Sequence, residues 1–299
     1  MFSFFSLEGV IIMPYEFAEE KIFCSGHHAC PGCNAALAIR YIVNTLGKNT
    51  IAVVPPSCIA IISGPQPLSS MRIPVYQTTL EASAASAAGI KRALVTQGKD
   101  HINVVAMAGD GGTYDIGFQS LSSAAERNED IIYICLDNEG YMNTGAQKSS
   151  STPYLAYTTS TPAGKPTAKK NVAEIMAAHR IPYMATATTG YLDDLVRKIQ
   201  KAKEIKGLRF IVVLIPCLDG WGVADHEGAK ISRLAVQTGL FPLYEVENGT
   251  KYTLNYGPQG VPIESYLSRQ KRYRHITKDQ INEIQENLDA DWEILKKKF

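Results

Sequence analysis

A doubly wound α/β fold, built on a mostly parallel sheet and finished by a C-terminal helical extension, is the architecture this sequence predicts, on three observations. From residue 32 to residue 238, short apolar runs of strand length alternate with amphipathic runs of helical period, which is the pattern of βαβ units. Two of the apolar runs, 104–108 and 131–136, end in Gly109-Asp110-Gly111-Gly112 and Asp137-Asn138-Glu139-Gly140, and open α/β sheets bind ligands outside the carboxyl ends of their strands. Past residue 251 the alternation stops, and Ile281, Ile284, Leu288, Trp292 and Leu295 form one helical stripe across residues 279–298. Such a stripe must pack on its own domain or on another subunit. The chain therefore divides into a ligand-binding domain, 1–250, and a C-terminal extension, 251–299.

The elements follow in order. Met1-Phe2-Ser3-Phe4-Phe5 is apolar, but it lacks a positive flank, meets Glu8 early and has no small-residue cleavage site, so it reads as a short N-terminal arm and not a signal peptide. Met13 is a second candidate start, and the expected location is cytoplasmic. Residues 32–47 read as a helix, with Ala36, Ile39, Val43 and Leu46 at helical spacing and Gly47 as the stop. A strand at 50–54 ends at Pro55-Pro56. Residues 63–74, with three prolines, read as a long loop facing substrate or a partner. A helix begins at Glu81 and presents alanines and serines, a face smooth enough for close contact. After the 104–108 strand and its glycine turn, a helix is expected to open at Asp115, with Ile116, Leu121 and Ala125 on its apolar side. Residues 148–170, rich in Ser, Thr, Pro and Gly, read as a functional or partner-bound loop. Helices at 172–179, 191–203 and 228–238 then alternate with strands at 183–186 and 210–215.

At 299 residues, 45% apolar and 20% charged, the chain can bury a core of its own. A net charge of +1 gives no reason to expect nucleic acid. No stretch reaches the roughly twenty apolar residues that cross a bilayer, so no membrane partner is expected.

The two turns carry the chemistry. Parallel strands place the Asp110 carboxylate beside the Asn138 amide at one sheet edge. Glycines let backbone N–H groups approach a phosphate, and hard oxygen ligands suit Mg²⁺, which sits between carboxylates and phosphates. The set describes a magnesium-pyrophosphate site, although Gly-Asp-Gly-Gly alone also serves as a plain strand-to-helix turn with Asp110 as its cap. Gly109-Asp110-Gly111, twenty-six intervening residues and Asn138 resemble the thiamin diphosphate motif, which opens on Gly-Asp-Gly and closes on an Asn roughly thirty residues later.

Six cysteines, at 24, 30, 33, 58, 135 and 217, are too scattered for a secreted disulfide scaffold. Cys30-Pro31-Gly32-Cys33 admits three readings: a redox dithiol, half of a zinc site or half of an iron–sulfur site. The preceding segment, 23–28, is a poor strand, which weakens the first. Cys58 and Cys217 each follow an apolar run and a proline. If those runs end at the edge that holds Asp110, their thiols converge on Cys30 and Cys33, and four thiolates suit a cubane cluster. Cys135 reads as core, Cys24 as the nearest substitute ligand, and His27 and His28 receive no metal role.

These features, with Tyr141-Met142-Asn143-Thr144-Gly145, Thr152-Pro153, 177–183, Pro216-Cys217 and Gly220-Trp221, resemble the β subunit of the pyruvate:ferredoxin and related 2-oxoacid:ferredoxin oxidoreductases over nearly the whole chain. The resemblance implies a thiamin diphosphate-binding fold, and it decides for a 4Fe-4S cluster on Cys30, Cys33, Cys58 and Cys217. It implies Mg²⁺ on Asp110, the Asn138 side chain and the Gly140 carbonyl. It also implies cofactor contacts from Gly109, Gly111, Gly112, Met142 and Thr144, with Asn143 catalytic, close to the reacting carbon. The activity implied is oxidative decarboxylation of pyruvate with coenzyme A as acyl acceptor and ferredoxin as electron acceptor. The implied partners are a pyrimidine-binding α subunit and γ and ferredoxin-like δ subunits. Ylide formation needs a carboxylic acid on the aminopyrimidine. Glu81, Glu126 and Glu139 each have a helical or loop explanation, and in the family that Glu comes from another subunit, so this chain alone is expected to be inactive.

Departures bear on substrate. Pyruvate-using relatives commonly carry Pro-Thr-Gly-Cys-Leu-Glu around the third cysteine, whereas this chain has Pro56-Ser57-Cys58-Ile59-Ala60. Residues 63–72 lack the expected aromatics, and Gly222-Val223-Ala224-Asp225-His226 replaces a more basic segment. Oxalate without coenzyme A, or another 2-oxoacid, is therefore an alternative to pyruvate. Two further classes stay open: a cluster-free thiamin-dependent decarboxylase or synthase subunit, and a non-catalytic electron-transfer module.

Overall fold

The computed structural model describes residues 21–299; the expected N-terminal arm and Met13 lie outside the described residues. Eight strands form one sheet: β1 (Thr50–Val54), β2 (Val75–Gln77), β3 (Asn103–Gly109), β4 (Ile132–Asp137), β5 (Tyr183–Thr188), β6 (Arg209–Leu214), β7 (Leu243–Glu247) and β8 (Lys251–Tyr256). Their order across it is β2-β1-β3-β4-β6-β5-β7-β8. The first six are mutually parallel, whereas β7 joins β5 and β8 in antiparallel register.

Strand side chains alternate between two cores, as the period of two requires. Ala52, Val105, Met107, Ile134 and Leu136 face helices α1 (Asn34–Leu46) and α7 (Leu192–Glu204). Val53, Val104, Ala106, Tyr133 and Cys135 face α3 (Ser83–Thr96), α5 (Phe118–Glu126) and α6 (Val172–Ala178). Both faces are covered, so the parallel strands read as unbroken apolar runs, and Cys135 is core as expected. A third cluster, with Leu214, Leu218, Trp221, Ile231 and Tyr266, caps the sheet beyond β6. It packs α8 (Leu218–Trp221), α9 (Gly228–Gln237) and α10 (Glu264–Leu267) together.

Five local readings change. Cys58 opens a short helix, α2 (Cys58–Ser63), and the following loop ends in edge strand β2. The helix expected from Asp115 starts at the motif itself, as α4 (Asp110–Tyr114), breaks at Asp115 and resumes as α5. Ile116 falls in that break and is 58% exposed, so it is not part of the apolar stripe, whereas Leu121 and Ala125 are. Residues 148–170 are pinned, with Ser149, Ser151, Thr152 and Lys165 buried. Residues 251–256 pair as β8, so a separate extension begins only after the sheet is complete.

That extension ends in α11 (Lys278–Lys296), which starts at a capping box between Thr277 and Gln280. Ile281, Ile284 and Leu288 pack on the third core and Leu295 on the second, yet none is fully buried. The helix docks at the margin of its own domain.

Candidate active site

Cys58 follows β1, Asp110 follows β3, Asn138 follows β4 and Cys217 follows β6. These four strands are consecutive in the sheet and parallel, so all four residues leave its carboxyl edge. Asp110 is 2% and Asn138 8% exposed. The Asn138 Oδ1 position lies 3.0 Å from Asp110 Oδ1 and 2.8 Å from the Gly140 carbonyl. Three oxygens this close, with no hydrogen among them, repel one another. Turning the amide over relieves this through two hydrogen bonds; a cation relieves it without the turn. Neighbouring oxygens of a Mg²⁺ octahedron with bonds of 2.0–2.1 Å lie about 2.9 Å apart, so the donor set fits that ion. In the unturned orientation the Asn138 amide N–H faces Cys58 Sγ at 3.7 Å.

Around these oxygens is a network of charges that the motif alone does not disclose. Asp137, fully buried, accepts from Tyr114 (2.8 Å), Ser151 (2.6 Å) and Lys169 (2.7 Å). Ser149 donates to Asp110. Burial, then the neighbouring Asp137, push the Asp110 carboxyl well above its ordinary range, against the Ser149 hydroxyl and Lys169. A divalent cation offsets that crowding of negative charge. Burial also pushes the Glu139 carboxyl up, but Lys169 and Arg272 outweigh it and hold the group below the usual carboxylate range. Gly111 serves packing: a Cβ there would stand 2.3 Å from Tyr141 Cε1, and that ring is fixed by its hydroxyl on Asp115 (2.9 Å).

The thiols are electrostatic neighbours. Burial first, then Cys217, Cys33, Asp110 and Cys30, push Cys58 up to about 12. Burial, opposed by the Gly220 N–H, raises Cys217 to about 11, with Cys33 and Cys30 adding to the rise. Cys33 is raised by burial, opposed by the N–H groups of Ala36 and Ala35. Gly32, at φ +69°, has the Asp225 carbonyl where a Cβ would stand, so the Cys30–Cys33 turn requires glycine. Among the described residues no three His, Cys, Asp or Glu side chains are grouped to hold a single metal ion. Cys24 is engaged elsewhere, by Arg72 Nε at 3.1 Å, and His27 stacks on Phe23.

The residues after Asn138 join the two halves. Cys58 donates to Asn143 Oδ1 at 3.0 Å. Met142 lies against Gly220 beside Cys217. Thr144 is exposed, with its hydroxyl on the Tyr141 carbonyl. Trp221 Nε1 donates to the Asn138 carbonyl at 2.8 Å. Of the candidate acids, Glu81 accepts from Thr79, Glu126 is exposed at the end of α5, and Glu139 is held by Lys169 and Arg272.

Residues 60–213 match the family described as thiamine pyrophosphate enzyme, C-terminal TPP binding domain. Pyruvate synthase subunit PorB of Methanothermobacter thermautotrophicus is 48% identical over 91% of this chain and 96% of its own length. The same subunit of Methanocaldococcus jannaschii is 46% identical over 94% and 98%, and ketoisovalerate oxidoreductase subunit VorB of Pyrococcus furiosus is 46% identical over 93% of each. The chain belongs to the 2-oxoacid:ferredoxin oxidoreductase β-subunit family. It shares its fold with a 2-oxoglutarate:ferredoxin oxidoreductase from Magnetococcus marinus, at a TM-score of 0.58 and 23% identity over 68% of this chain and 70% of that one. The matched thiamine pyrophosphate domain holds Gly109–Gly112 and Asn138–Thr144 but excludes Cys30, Cys33, Cys58 and Cys217. In this family member the thiols thus flank the cofactor domain on both sides.

Sequence reasoning missed Asp137, Ser149, Ser151, Lys169, Trp221 and Arg272. Asp137 was visible beside Asn138, whereas Lys169 and Arg272 arrive from segments without periodicity. A cavity of about 890 Å³ lies elsewhere, between α11 and residues 166–174 and 239–244. It adjoins the network at Tyr114, Glu139 and Lys169 but reaches neither Asp110 nor the cysteines.

Proposed function

We propose that the chain is the thiamin diphosphate- and cluster-bearing catalytic subunit of a 2-oxoacid:ferredoxin oxidoreductase. Its reaction converts pyruvate and coenzyme A to acetyl-CoA and CO2, and two electrons pass one at a time to ferredoxin. The observation that carries this is contiguity: Cys58 touches Asn143 at 3.0 Å while its neighbour Asn138 faces Asp110 and Gly140. A cluster-free thiamin enzyme has no use for four thiols there, and an electron-transfer module has no use for the oxygen cluster.

In this reading Asp110, the Asn138 amide oxygen and the Gly140 carbonyl would hold Mg²⁺, and the turn at Gly109, Gly111 and Gly112 would take the diphosphate. Cys30, Cys33, Cys58 and Cys217 would hold a 4Fe-4S cluster through their thiolates. When bound, these groups supply the electron sink for loss of CO2 and the one-electron acceptor. The chain's own contribution is to set Asn143 beside the Cys58 sulfur, where it would meet the reacting carbon, and to exclude water through the buried walls at Asp110, Asp137 and Trp221. The acid for the aminopyrimidine comes from a pyrimidine-binding α subunit, with γ and δ-type subunits completing the electron path to ferredoxin in the cytoplasm. Among the described residues no helix is long and apolar enough to cross a membrane.

A branched 2-oxoacid is the second reading, because the VorB relative is as similar as a PorB relative. Anaerobic purification of the assembled complex, iron analysis and viologen reduction on a panel of 2-oxoacids test the assignment. Pyruvate or 2-oxoisovalerate should reduce the dye in a coenzyme A-dependent way. Oxalate turnover without coenzyme A would displace both, and a colourless, iron-free complex would refute the cluster.

A further inference from the structure

Glu139 stands between Asn138, whose Oδ1 faces Asp110, and Gly140, whose carbonyl faces that same Oδ1, and its backbone is in the left-handed region at φ +64°. A side chain there is disfavoured, and a residue kept in such a conformation is over-determined by its surroundings. All of its polar groups are engaged. The N–H donates to Asp137 Oδ1 (3.0 Å), and the carbonyl accepts from Thr152 (2.8 Å). The carboxylate, 3% exposed, accepts from Lys169 Nζ (2.9 Å) and Arg272 Nη2 (2.6 Å). Arg272 is itself buried and lies 3.8 Å above the Trp221 ring, whose N–H holds the Asn138 carbonyl. Trp221 ends the helix that Cys217 caps. Both Glu139 carboxylate oxygens are taken up by Lys169 and Arg272, so the side chain is not counted among the ligands of the divalent ion.

We propose that Glu139 is a positioning residue: pinned between Lys169 and Arg272, it fixes the turn that presents the Asn138 and Gly140 oxygens to the divalent cation. Arg272 acts through it and ties that turn to the helix at Cys217. The inference rests on the magnesium-diphosphate reading of the site. Cation affinity therefore depends on a residue that touches neither cation nor substrate, through a partner supplied from beyond the sheet. Losing an outer partner of this kind typically weakens metal binding about 10–100-fold.

The test uses the assembled complex, stripped of cofactor by chelation and titrated with Mg²⁺ at saturating thiamin diphosphate. Thermal shift and tryptophan fluorescence report binding, alongside turnover. E139Q should raise half-saturating Mg²⁺ about 10–100-fold, leave turnover at saturation within a few-fold, and keep its iron. E139G frees the backbone but removes the carboxylate; it should be weakened like E139Q, and wild-type affinity in E139G would overturn the side-chain role. R272Q should weaken Mg²⁺ in the same direction, and the double variant should be no weaker than E139Q alone, since both act through one contact. Additive losses, or unchanged half-saturation in the folded E139Q and R272Q complexes, would overturn the proposal. If wild type shows no Mg²⁺-dependent binding of thiamin diphosphate, the underlying site assignment fails instead, and wild type alone reveals that.

Discussion

With the proposed cluster removed anaerobically, the chemistry of the bare thiols reports whether they share a buried pocket. Burial, with Cys217, Cys33 and Asp110 adding to it, moves Cys58 from an ordinary 9.0 to about 12. At pH 8 its thiolate fraction is then about a thousandfold smaller than that of a free thiol. Intrinsic nucleophilicity rises with pKa, with a Brønsted coefficient near 0.4–0.5 for disulfide exchange, which returns about twentyfold. The net rate toward a small disulfide should be about fiftyfold below that of a free cysteine peptide. Cys217, at about 11, should be about tenfold slow by the same reasoning. Steric shielding also slows reaction, but it does not move the pH profile. Peptide mass spectrometry of quenched samples should therefore show the Cys58 rate still climbing tenfold per pH unit at pH 10. A plateau near pH 9 would refute a buried, mutually crowded thiol group. The linkage sign agrees: folding keeps both protons above the unfolded value, so their contribution to stability is complete below pH 9. It is lost as pH rises through the folded values.

Cys217→Ser in the assembled complex should lose most of its iron and its visible colour; full iron retention would remove Cys217 from the ligand set. Asp110→Ala should weaken Mg²⁺ and thiamin diphosphate by more than the roughly 100-fold typical of outer-shell losses, while iron content stays at the wild-type level. The isolated chain should show no 2-oxoacid-dependent dye reduction until the partner subunits are added, because Glu81, Glu126 and Glu139 are each engaged or placed elsewhere; turnover by the chain alone would contradict this. Trp221→Phe leaves the buried Asn138 carbonyl without its 2.8 Å donor, at a cost of about 1–3 kcal/mol that denaturant unfolding of the cofactor-free chain should register.

The parallel core was legible because β1, β3, β4 and β6 are buried along nearly their whole length and read as apolar runs, with β1 predicted to the residue; edge strand β2, largely exposed, leaves no such run. The β7–β8 hairpin was also written in the sequence, and it was misread as the start of the tail. Asn248 (φ +51°) and Gly249 (φ +69°) form the turn, an Asn-Gly pair between alternating residues being the strongest short hairpin signal. The break at Asp115 was illegible, because it is imposed from outside: Tyr141 and Ser150 hydrogen-bond to the Asp115 carboxylate, which belongs to the site and not to the helix pattern. The same holds for residues 148–170. Their composition reads as loop, yet Ser149 and Ser151 are drawn in by Asp110 and Asp137, and only the folded sheet edge creates those acceptors.

Strand order explains why the oxygens and the thiols reach one edge of the sheet. Oxygen donors leave the inner strands β3 and β4, and thiols leave the strands that flank them, β1 and β6. Neighbouring strands are about 4.8 Å apart, so the backbones at the two outer ends are about 14 Å apart with the oxygen pair between them. Cys58 turns inward onto Asn143 at 3.0 Å, and Cys217 lies by Gly220, against which Met142 of the same segment as Asn143 packs. Cys30 and Cys33 enter from the segment leading into α1, which covers one face of the same strands. Under the proposed function, a cluster on these thiols and a diphosphate at Asp110 would be neighbours, because one sheet would space both. Moving a thiol one strand outward, to β2 or β5, would add about 5 Å and take it out of reach of Asn143. The chemistry therefore depends less on any single ligand than on β1, β3, β4 and β6 being adjacent, parallel and ended at the same edge.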